Sequence, residues 1–267
     1  MRVVGIIPAR MKSSRYPNKP FARIHGIPMI GHCFLRSKMS TVLDEVYVAC
    51  CDREVFDYVT ALGGKAVMTD PKHPMGSDRV AEAARKIEEE SGRLDVVVNI
   101  QGDQPMVFPD MIDAVTRPLL DDPRVVCSTM VDEIADDAEF ADPNRVKMVM
   151  DADWNAMYFS REPIPSRHKY DGAYPRYKHV ALIPFRRDLL FEFGRLPMTA
   201  LEKIESIDYL RLLENGHKIK VVLTKRKTET VDTTRDRDAV ERMMVGDPLL
   251  PLYEKRARAV KVPFPEV

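Results

Sequence analysis

Short apolar runs alternate with longer amphipathic stretches along the chain up to about residue 151. The apolar runs are rich in β-branched residues and show no polar alternation, which is typical of strands covered on both faces of a sheet. Between them, apolar residues recur at helical spacing, with a helix end at Gly63-Gly64 and a helix start at Ser77. The predicted strands are residues 2–9, 45–51, 65–69, 95–103, 125–131 and 146–151, and the predicted helices are residues 28–40, 53–64, 77–91 and 108–122.

This alternation predicts an α/β fold with a doubly wound, mostly parallel, Rossmann-like sheet. After about residue 152 the pattern changes, because residues 158–188 are rich in Pro, Tyr and Arg and predict loops and irregular strands. We therefore expect one domain over residues 1–244 with a smaller sub-lobe over about 153–200. A C-terminal tail over residues 245–267 is expected to pack on the surface or to be loose.

Two later segments return to regular patterns. Residues 199–216 predict one helix that ends at Gly216, and residues 218–225 predict a strand that leads into a loop and a helix over 230–244. The apolar stripe assigned to the first of these helices is Leu201, Ile204, Ile207, Leu210 and Leu213.

The charge composition excludes a global electrostatic function. Lys plus Arg and Asp plus Glu both number 41 in 267 residues, so no net field attracts nucleic acid or an anionic membrane. No apolar run approaches the length of about 18 residues that a membrane span needs, and the opening run is too short for a signal peptide. Four cysteines without metal spacing indicate reduced thiols. We expect a cytoplasmic protein.

Positive charge is nevertheless concentrated just after the first strand. Within "IIPARMKSSRYPNKP", residues 6–20, four cations share a short loop with Ser13 and Ser14. Such a loop at the carboxyl end of a parallel strand suits a cradle for several phosphates, although a solvated basic turn is the alternative. It matches neither a Walker loop nor GxGxxG. The four cations are Arg10, Lys12, Arg15 and Lys19.

Two carboxylates also follow apolar runs. Asp103 ends "VVVNIQGD" and Asp232 lies in "VDTTRD", so both are candidates for the same sheet edge. Carboxylate oxygens are ligands that Mg²⁺ prefers, whereas a turn at Gly102-Asp103 and a helix N-cap region at Asp232 are the alternatives. Together with the basic loop, the two carboxylates indicate metal-assisted nucleotidyl transfer.

The motifs resemble those of the 3-deoxy-manno-octulosonate cytidylyltransferases, also called CMP-Kdo synthetases. The resemblance runs in order over residues 2–244 and implies a nucleotide-diphospho-sugar transferase-like fold. It also implies a Mg²⁺-dependent reaction of CTP with the anomeric hydroxyl of a 3-deoxy-2-ulosonic acid, as part of surface glycoconjugate synthesis such as that of lipopolysaccharide. The similar segments are "IIPARMKSSRYPNKPFARIHGIPMIGH", "DPKHPMGSDRVAEA", "VVVNIQGDQPMV", "PNRVKMVMDADWNAMYFSREPIP", "KHVALIPFRRD", "LEKIESIDYLRLLENGHKIKV" and "VDTTRDRDAVERMM".

The resemblance assigns roles to residues of this sequence. Arg10, Lys19, Asp103 and Asp232 would be catalytic, and the two aspartates among them would ligate Mg²⁺. The nucleotide would be held by Pro8, Ala9, Arg10, Ser13, Arg15, Lys19, Ser77, Arg79 and Gln101. The sugar would lie against Gln104, His179, Ile183, Asp208 and Tyr209. The family also implies a homodimer, with the part after residue 152 as its contact surface.

Departures from the family pattern fall in the half that is expected to read the sugar. Ala181 and Pro184 replace family glycines, Ile183 replaces a tyrosine, and Lys203 stands where histidine is usual. Neutral drift and a modified acidic sugar both explain these changes.

Three hypotheses therefore remain open at the level of sequence: a Kdo-type enzyme, an enzyme for a nonulosonic, sialic-like acid, and a catalytically silent nucleotide-binding homologue. The remaining histidines are interpreted as surface or capping residues and not as catalytic groups. They are His25, His32, His73, His168 and His217.

Overall fold

A computed structural model describes residues 1–13, 15–170 and 172–263 and confirms the α/β fold predicted from the sequence. Ser14 of the opening loop lies outside the described residues. The chain divides into two compact units, unit 1 with Met1–Asp113 and Thr228–Val267 and unit 2 with Ala114–Lys227. The boundaries expected from the sequence, with a sub-lobe at 153–200, stay a prediction. Within the described ranges, no helix combines the length and apolar character of a membrane span.

A parallel sheet forms the centre of unit 1. Strand β1 (Val3–Ala9) pairs in parallel with β4 (Glu45–Cys50) on one side and with β6 (Val96–Ile100) on the other, and β5 (Lys65–Met68) continues beyond β4. Strands β1 and β6 are buried almost throughout, as their continuous apolar runs predict. The other elements of unit 1 are β2 (Arg23–Ile24), β3 (Ile27–Pro28), α1 (Met29–Ser37), α2 (Arg53–Ala61), α3 (Gly76–Ser91), α9 (Thr234–Met243) and α10 (Leu250–Arg258), and α4 (Pro109–Asp121) continues into unit 2.

The sheet of unit 2 is mostly antiparallel. Its order is β12-β7-β10-β8-β9, and only the β12–β7 pair is parallel among the described strands of this sheet. The predicted strands at 125–131 and 146–151 therefore belong to an antiparallel layer. The elements of unit 2 are β7 (Ser128–Glu133), α5 (Asp137–Ala141), β8 (Lys147–Met150), β9 (Ala156–Ser160), β10 (Tyr177–Val180), β11 (Leu182–Arg186), α6 (Arg187–Phe193), α7 (Ala200–Glu205), α8 (Leu210–Glu214) and β12 (Lys220–Leu223).

The prediction of one continuous helix over 199–216 is wrong. The segment forms α7 and α8, because Ser206 adopts a left-handed conformation with φ of 55° and ends α7. Ile204 of the predicted apolar stripe is 77% exposed. A buried ion pair between Glu202 and Arg211, at 2.5 Å, joins the two short helices in place of a continuous stripe.

A tight turn follows the basic loop of unit 1. The loop ends in a 3₁₀ turn over Lys19–Phe21, and strands β2 and β3 form a small hairpin after it. The hairpin reverses at His25 and Gly26, whose φ angles of 48° and 77° lie in the left-handed region, where glycine is favoured. Helix α1 begins directly after this hairpin.

Candidate active site

A cavity of about 340 Å³ lies at the carboxyl ends of β1 and β6 in unit 1. Its position agrees with the rule that ligands of open parallel sheets bind beyond the carboxyl ends of the strands. Gly102 allows the two strand ends to approach, because a Cβ atom at this position would lie 2.6 Å from the carbonyl oxygen of Pro8. The lining residues that the sequence assigned to the nucleotide or to catalysis are Pro8, Ala9, Arg10, Ser13, Arg15, Lys19, Arg79, Gln101, Asp103 and Asp232.

The two candidate metal ligands, Asp103 and Asp232, both form ion pairs with the ammonium group of Lys19 in this cavity. Lys19 Nζ lies 2.8 Å from Asp103 Oδ2 and 3.1 Å from Asp232 Oδ1. Arg15 adds a second contact to Asp232 at 3.1 Å. Burial alone would lower the pKa of Lys19, but the two carboxylates outweigh it and raise that pKa. Residues that are far apart in the sequence therefore converge on one point, as the sequence predicts.

The chemistry of this donor set fits a divalent cation. Asp103 and Asp232 already share a positive charge, and carboxylate oxygens are the hard donors that Mg²⁺ prefers. In the described part of the chain, no group of three or more His, Cys, Asp or Glu side chains is arranged to hold a metal. Two protein carboxylates suffice where substrate phosphates and water complete the shell, which is the usual arrangement for Mg²⁺.

Hydrogen bonds of the main chain anchor the basic loop, and most of its charged side chains line the cavity. The N–H of Met11 donates to Asp52 Oδ2 at 2.9 Å, and the N–H of Asn18 donates to the carbonyl of Met11 at 3.1 Å. Arg10, Lys12 and Arg15 all line the cavity. Since like charges gathered in one cleft favour an anionic ligand, the arrangement of this loop suits a ligand with several negative charges.

The opposite side of the cavity offers a buried guanidinium. Arg79 is 2% exposed, and its Nη1 donates to Thr69 Oγ1 at 2.5 Å. Its Nη2 is buried and has no hydrogen-bond partner among the described residues. A buried unpaired donor is costly, so a ligand atom that accepts from it is expected. Ser77, which the sequence assigned to the nucleotide, is buried and does not line the cavity. Its Oγ accepts a hydrogen bond from Asn99 Nδ2 at 3.4 Å.

The predicted sugar contacts are divided between the two units. Gln104 belongs to unit 1, is buried and does not line the cavity. In unit 2 the rings of His179 and Tyr209 pack edge to face at 5.7 Å, and His179 Nε2 lies 2.8 Å from Thr129 Oγ1. Burial lowers the pKa of His179 to about 4, so the imidazole is neutral at pH 7.

The other two predicted sugar residues of unit 2 are also buried. Ile183 has no exposed surface, and Asp208 is 9% exposed. The structure therefore brings His179 and Tyr209 together, whereas Ile183 lies in the apolar core.

Comparison with known proteins decides the family. The model of the family described as cytidylyltransferase matches residues 4–219. The chain belongs to the cytidylyltransferase family. It is a nucleotidyltransferase, and this confirms both the enzyme class and the family resemblance found in the sequence.

Curated relatives of this cytidylyltransferase are similar over nearly their whole length. A 3-deoxy-manno-octulosonate cytidylyltransferase of Paramagnetospirillum magneticum is 47% identical over 86% of this chain and 93% of its own. One from Desulfosudis oleivorans is 41% identical over 92% and 98%. A solved structure of CMP:2-keto-3-deoxy-manno-octonic acid synthetase in complex with CTP superposes with a TM-score of 0.86 at 37% identity, covering 92% of this chain and all of the other.

The cytidylyltransferase cavity also includes residues that sequence reasoning missed. His73, interpreted as a surface or capping residue, lines the cavity, and its Nε2 pairs with Glu82. Burial would raise the pKa of Glu82, but hydrogen bonds from Lys86, the Asp70 N–H and His73 lower it to about 2. The sequence signal was the position of His73 just before Ser77 and Arg79. The other lining residues without an assigned role are Lys12, Pro20, Met29, Met75, Gly76 and Gly102.

Proposed function

We propose that this enzyme couples CTP to the anomeric hydroxyl of a 3-deoxy-2-ulosonic acid, Kdo or a Kdo-like sugar acid, and releases pyrophosphate. The observation that carries the proposal is the meeting of Asp103 and Asp232 on Lys19 inside a basic cavity at the strand ends. The names of the relatives, which are 3-deoxy-manno-octulosonate cytidylyltransferases, support the choice of sugar acid.

The reaction requires no protein nucleophile. The anomeric hydroxyl oxygen of the sugar attacks the α-phosphorus of CTP, the bond from that phosphorus to the bridging oxygen breaks, and pyrophosphate leaves with the electron pair. The hydroxyl proton passes to solvent. The protein's contribution is to hold the phosphates in line and to neutralise the charge that develops on the leaving group.

The cavity residues divide between the two ends of the nucleotide. Arg10, Ser13, Arg15 and Lys19 bind the phosphates, because they are polar groups of the anchored basic loop that line the cavity. The buried Nη2 of Arg79 supplies a donor to an acceptor atom of cytosine or ribose. The remaining nucleotide contacts in this proposal come from the backbone of Pro8 and Ala9 and from Gln101, with Ser77 in support through Asn99.

Asp103 and Asp232 hold a Mg²⁺ ion in this proposal. A Mg²⁺ ion bound there would supply positive charge next to the phosphates, which would favour departure of pyrophosphate. The two carboxylates are suited to this task because they lie close enough to contact a single positive group, which in this structure is the ammonium of Lys19.

The sugar residues of the proposal are Gln104, His179, Ile183, Asp208 and Tyr209. Among them, the neutral imidazole of His179, held by Thr129 and packed on Tyr209, is a polar group of unit 2 with a fixed orientation. Ile183 acts through packing, since it has no exposed surface. Isoleucine in place of the family's tyrosine at this buried position would therefore alter the shape of a neighbouring pocket more readily than it would remove a hydrogen bond.

Activity against a panel of sugar acids tests the proposal. Pyrophosphate release is measured with CTP and Mg²⁺ and with Kdo, amino-substituted ulosonic acids and nonulosonic acids. Fastest release with an ulosonic acid is expected. Preference for a nonulosonic acid would favour the sialate-type alternative, and no release with any acid would favour a silent homologue.

Asp103→Asn tests the metal role directly. We expect kcat to fall by about 10³-fold with the fold intact, because the variant loses one ligand charge. Asp122→Asn is the matched control, since Asp122 pairs with Arg124 on the surface of unit 2. Near-normal turnover of Asp103→Asn would contradict the assignment.

We further propose a homodimer that forms through unit 2 and a cytoplasmic location. Strand β9 is an edge strand of the unit 2 sheet, and its Met157 is 61% exposed. Exposed edges and apolar side chains are suited to pairing with a second copy. Free cysteines at positions 33, 50, 51 and 127 support a reducing compartment.

A further inference from the structure

Helix α1 buries two polar side chains on one face. His32 and Arg36 are four residues apart, which places them one above the other, and both have no exposed surface. The interpretation of His32 as a surface residue is therefore wrong. Buried polar groups of this kind are stable only when hydrogen-bonded, so their partners show what they hold in place.

Arg36 connects the loop after β6 with the C-terminal part of the chain. Its Nε donates to the carbonyl of Val107 at 2.8 Å, and its Nη1 pairs with Asp247 Oδ1 at 2.9 Å. The guanidinium also lies 4.8 Å from the ring centre of Phe108. The N–H of Val107 in turn donates to the carbonyl of Gln104 at 3.1 Å. Arg36 thus fixes the far end of the turn that carries Asp103.

His32 makes the equivalent connection for the basic loop. Its Nε2 lies 2.8 Å from the carbonyl oxygen of Ile24, and its Nδ1 lies 2.7 Å from the hydroxyl of Tyr253. Ile24 belongs to the hairpin that directly follows the 3₁₀ turn starting at Lys19. A third contact ends on the same hairpin, where Arg258 Nη2 donates to the carbonyl of His25 at 2.9 Å.

Asp247, Tyr253 and Arg258, the C-terminal residues in these contacts, all belong to residues 247–258, here called the C-terminal brace. Asp247 Oδ1 accepts from the N–H groups of Leu249 and Leu250 at 2.9 and 3.0 Å and so caps the start of α10. Among the described residues of α10, Tyr253 and Ala257 are the buried ones, so apolar burial ties this helix down only weakly. The brace lies beyond the family match, which ends at residue 219.

We propose that the C-terminal brace is a positioning element for nucleotidyl transfer, which acts through Arg36 on the Asp103 loop and through His32 on the Lys19 loop. The inference rests on the proposed function of Asp103 and Lys19. Arg36 and His32 meet the two loop regions at the carbonyls of Val107 and Ile24, and Arg258 of the brace itself reaches the carbonyl of His25. The brace thereby sets the separation of Lys19 from Asp103 without entering the cavity. A displacement of even about 1 Å in such a constellation costs a large factor in rate.

Two conservative variants and a control test the proposal in the full-length enzyme. Asp247→Asn keeps an oxygen that caps α10 but removes the charge facing Arg36. Tyr253→Phe removes only the hydroxyl, which bonds His32 and also lies near Arg36. Asp95→Asn is the matched control, because Asp95 accepts from the Arg2 N–H at 2.6 Å at the amino end of β6, away from the cavity. Backbone hydrogen exchange, thermal unfolding, kcat and the KM for CTP are measured for each.

Asp247→Asn is expected to speed exchange in residues 101–108 and to lower kcat by about 10-fold, with less effect on the KM for CTP. Tyr253→Phe is expected to speed exchange in residues 19–28 and to raise the KM for CTP a few-fold, since one neutral hydrogen bond is lost. Asp95→Asn should change neither loop and neither kinetic constant, even where its melting temperature falls.

The proposal is overturned if Asp247→Asn melts at a lower temperature yet keeps the kcat of the control, because the brace would then be structural only. Unchanged exchange in residues 101–108 would overturn it as well. If the wild-type enzyme releases no pyrophosphate with any sugar acid, the proposed function fails. The exchange measurements still decide whether the brace holds the two loops.

Discussion

His32 and His179 are imidazoles removed from water, and burial lowers the pKa of each to about 4. For His32 the hydrogen bond to Ile24 opposes this shift and the positive charge of Arg36 adds to it. An unfolded histidine titrates near pH 6.5, so the unfolded chain binds more protons between pH 6.5 and 4. The stability that each neutral imidazole contributes is therefore complete above pH 6.5 and is lost as the pH falls toward 4.

We expect the free energy of unfolding to fall by about 1.4 kcal/mol per pH unit for each of the two histidines in the lower part of this window. The measurement is urea unfolding at pH 7, 6 and 5. His32→Gln should be less stable at pH 7 but less sensitive to acid, whereas His168→Gln, which changes an exposed residue, should follow the wild type. Equal pH slopes for wild type and His32→Gln would contradict the assignment.

At the scale of elements, the pair of short helices α7 and α8 depends on one ion pair. Arg211 donates to Glu202 at 2.9 and 2.5 Å and to the carbonyls of Phe193 and Leu196, and both charged side chains are almost fully buried. A buried charge that loses its partner has nothing to replace the lost solvation.

Glu202→Gln should therefore lower the free energy of unfolding by about 3–5 kcal/mol, as measured by urea denaturation. Asp57→Asn is the control, because the Arg53–Asp57 pair of α2 is exposed and its loss therefore changes the stability little. Comparable small losses in both variants would show that the buried pair does not hold the helices.

The sequence predicted elements best where burial on both faces leaves a continuous apolar run. Strands β1, β4 and β6 follow this rule, and the charges of Lys19 after β1 and Asp103 after β6 converge as expected. The break at Ser206 was missed because a left-handed serine has no sequence signature. Helix α10 was missed because its docking uses buried polar contacts to α1, which no hydrophobic periodicity reveals. His73 was missed because its partner Glu82 belongs to a helix. The sequence alone does not show which way the Glu82 side chain points in the folded protein.

For the whole molecule, the numbers of acidic and basic residues are equal, so the net charge is zero and positive charge is only a local property, as in the basic loop. In the proposed homodimer, association would therefore depend on apolar surface more than on net charge. In unit 2, Met157 and Ile204 are 61% and 77% exposed, whereas Val245 is an equally exposed apolar residue of unit 1.

We expect light scattering to give twice the chain mass of 30.5 kDa for the wild type. A double variant, Met157→Glu with Ile204→Glu, should shift toward the single-chain mass, because charge at a buried apolar contact disfavours association. Val245→Glu should remain dimeric. A monomeric wild type would reject the dimer, and an unaffected double variant would place its contact elsewhere.

The close approach at Gly102 limits how this enzyme can evolve. Since the Cβ atom of any side chain there would lie 2.6 Å from the carbonyl oxygen of Pro8, the carboxyl ends of β1 and β6 are held at a fixed separation. A lineage that widens the space between these two strand ends also shifts Asp103, because it directly follows Gly102 in the chain.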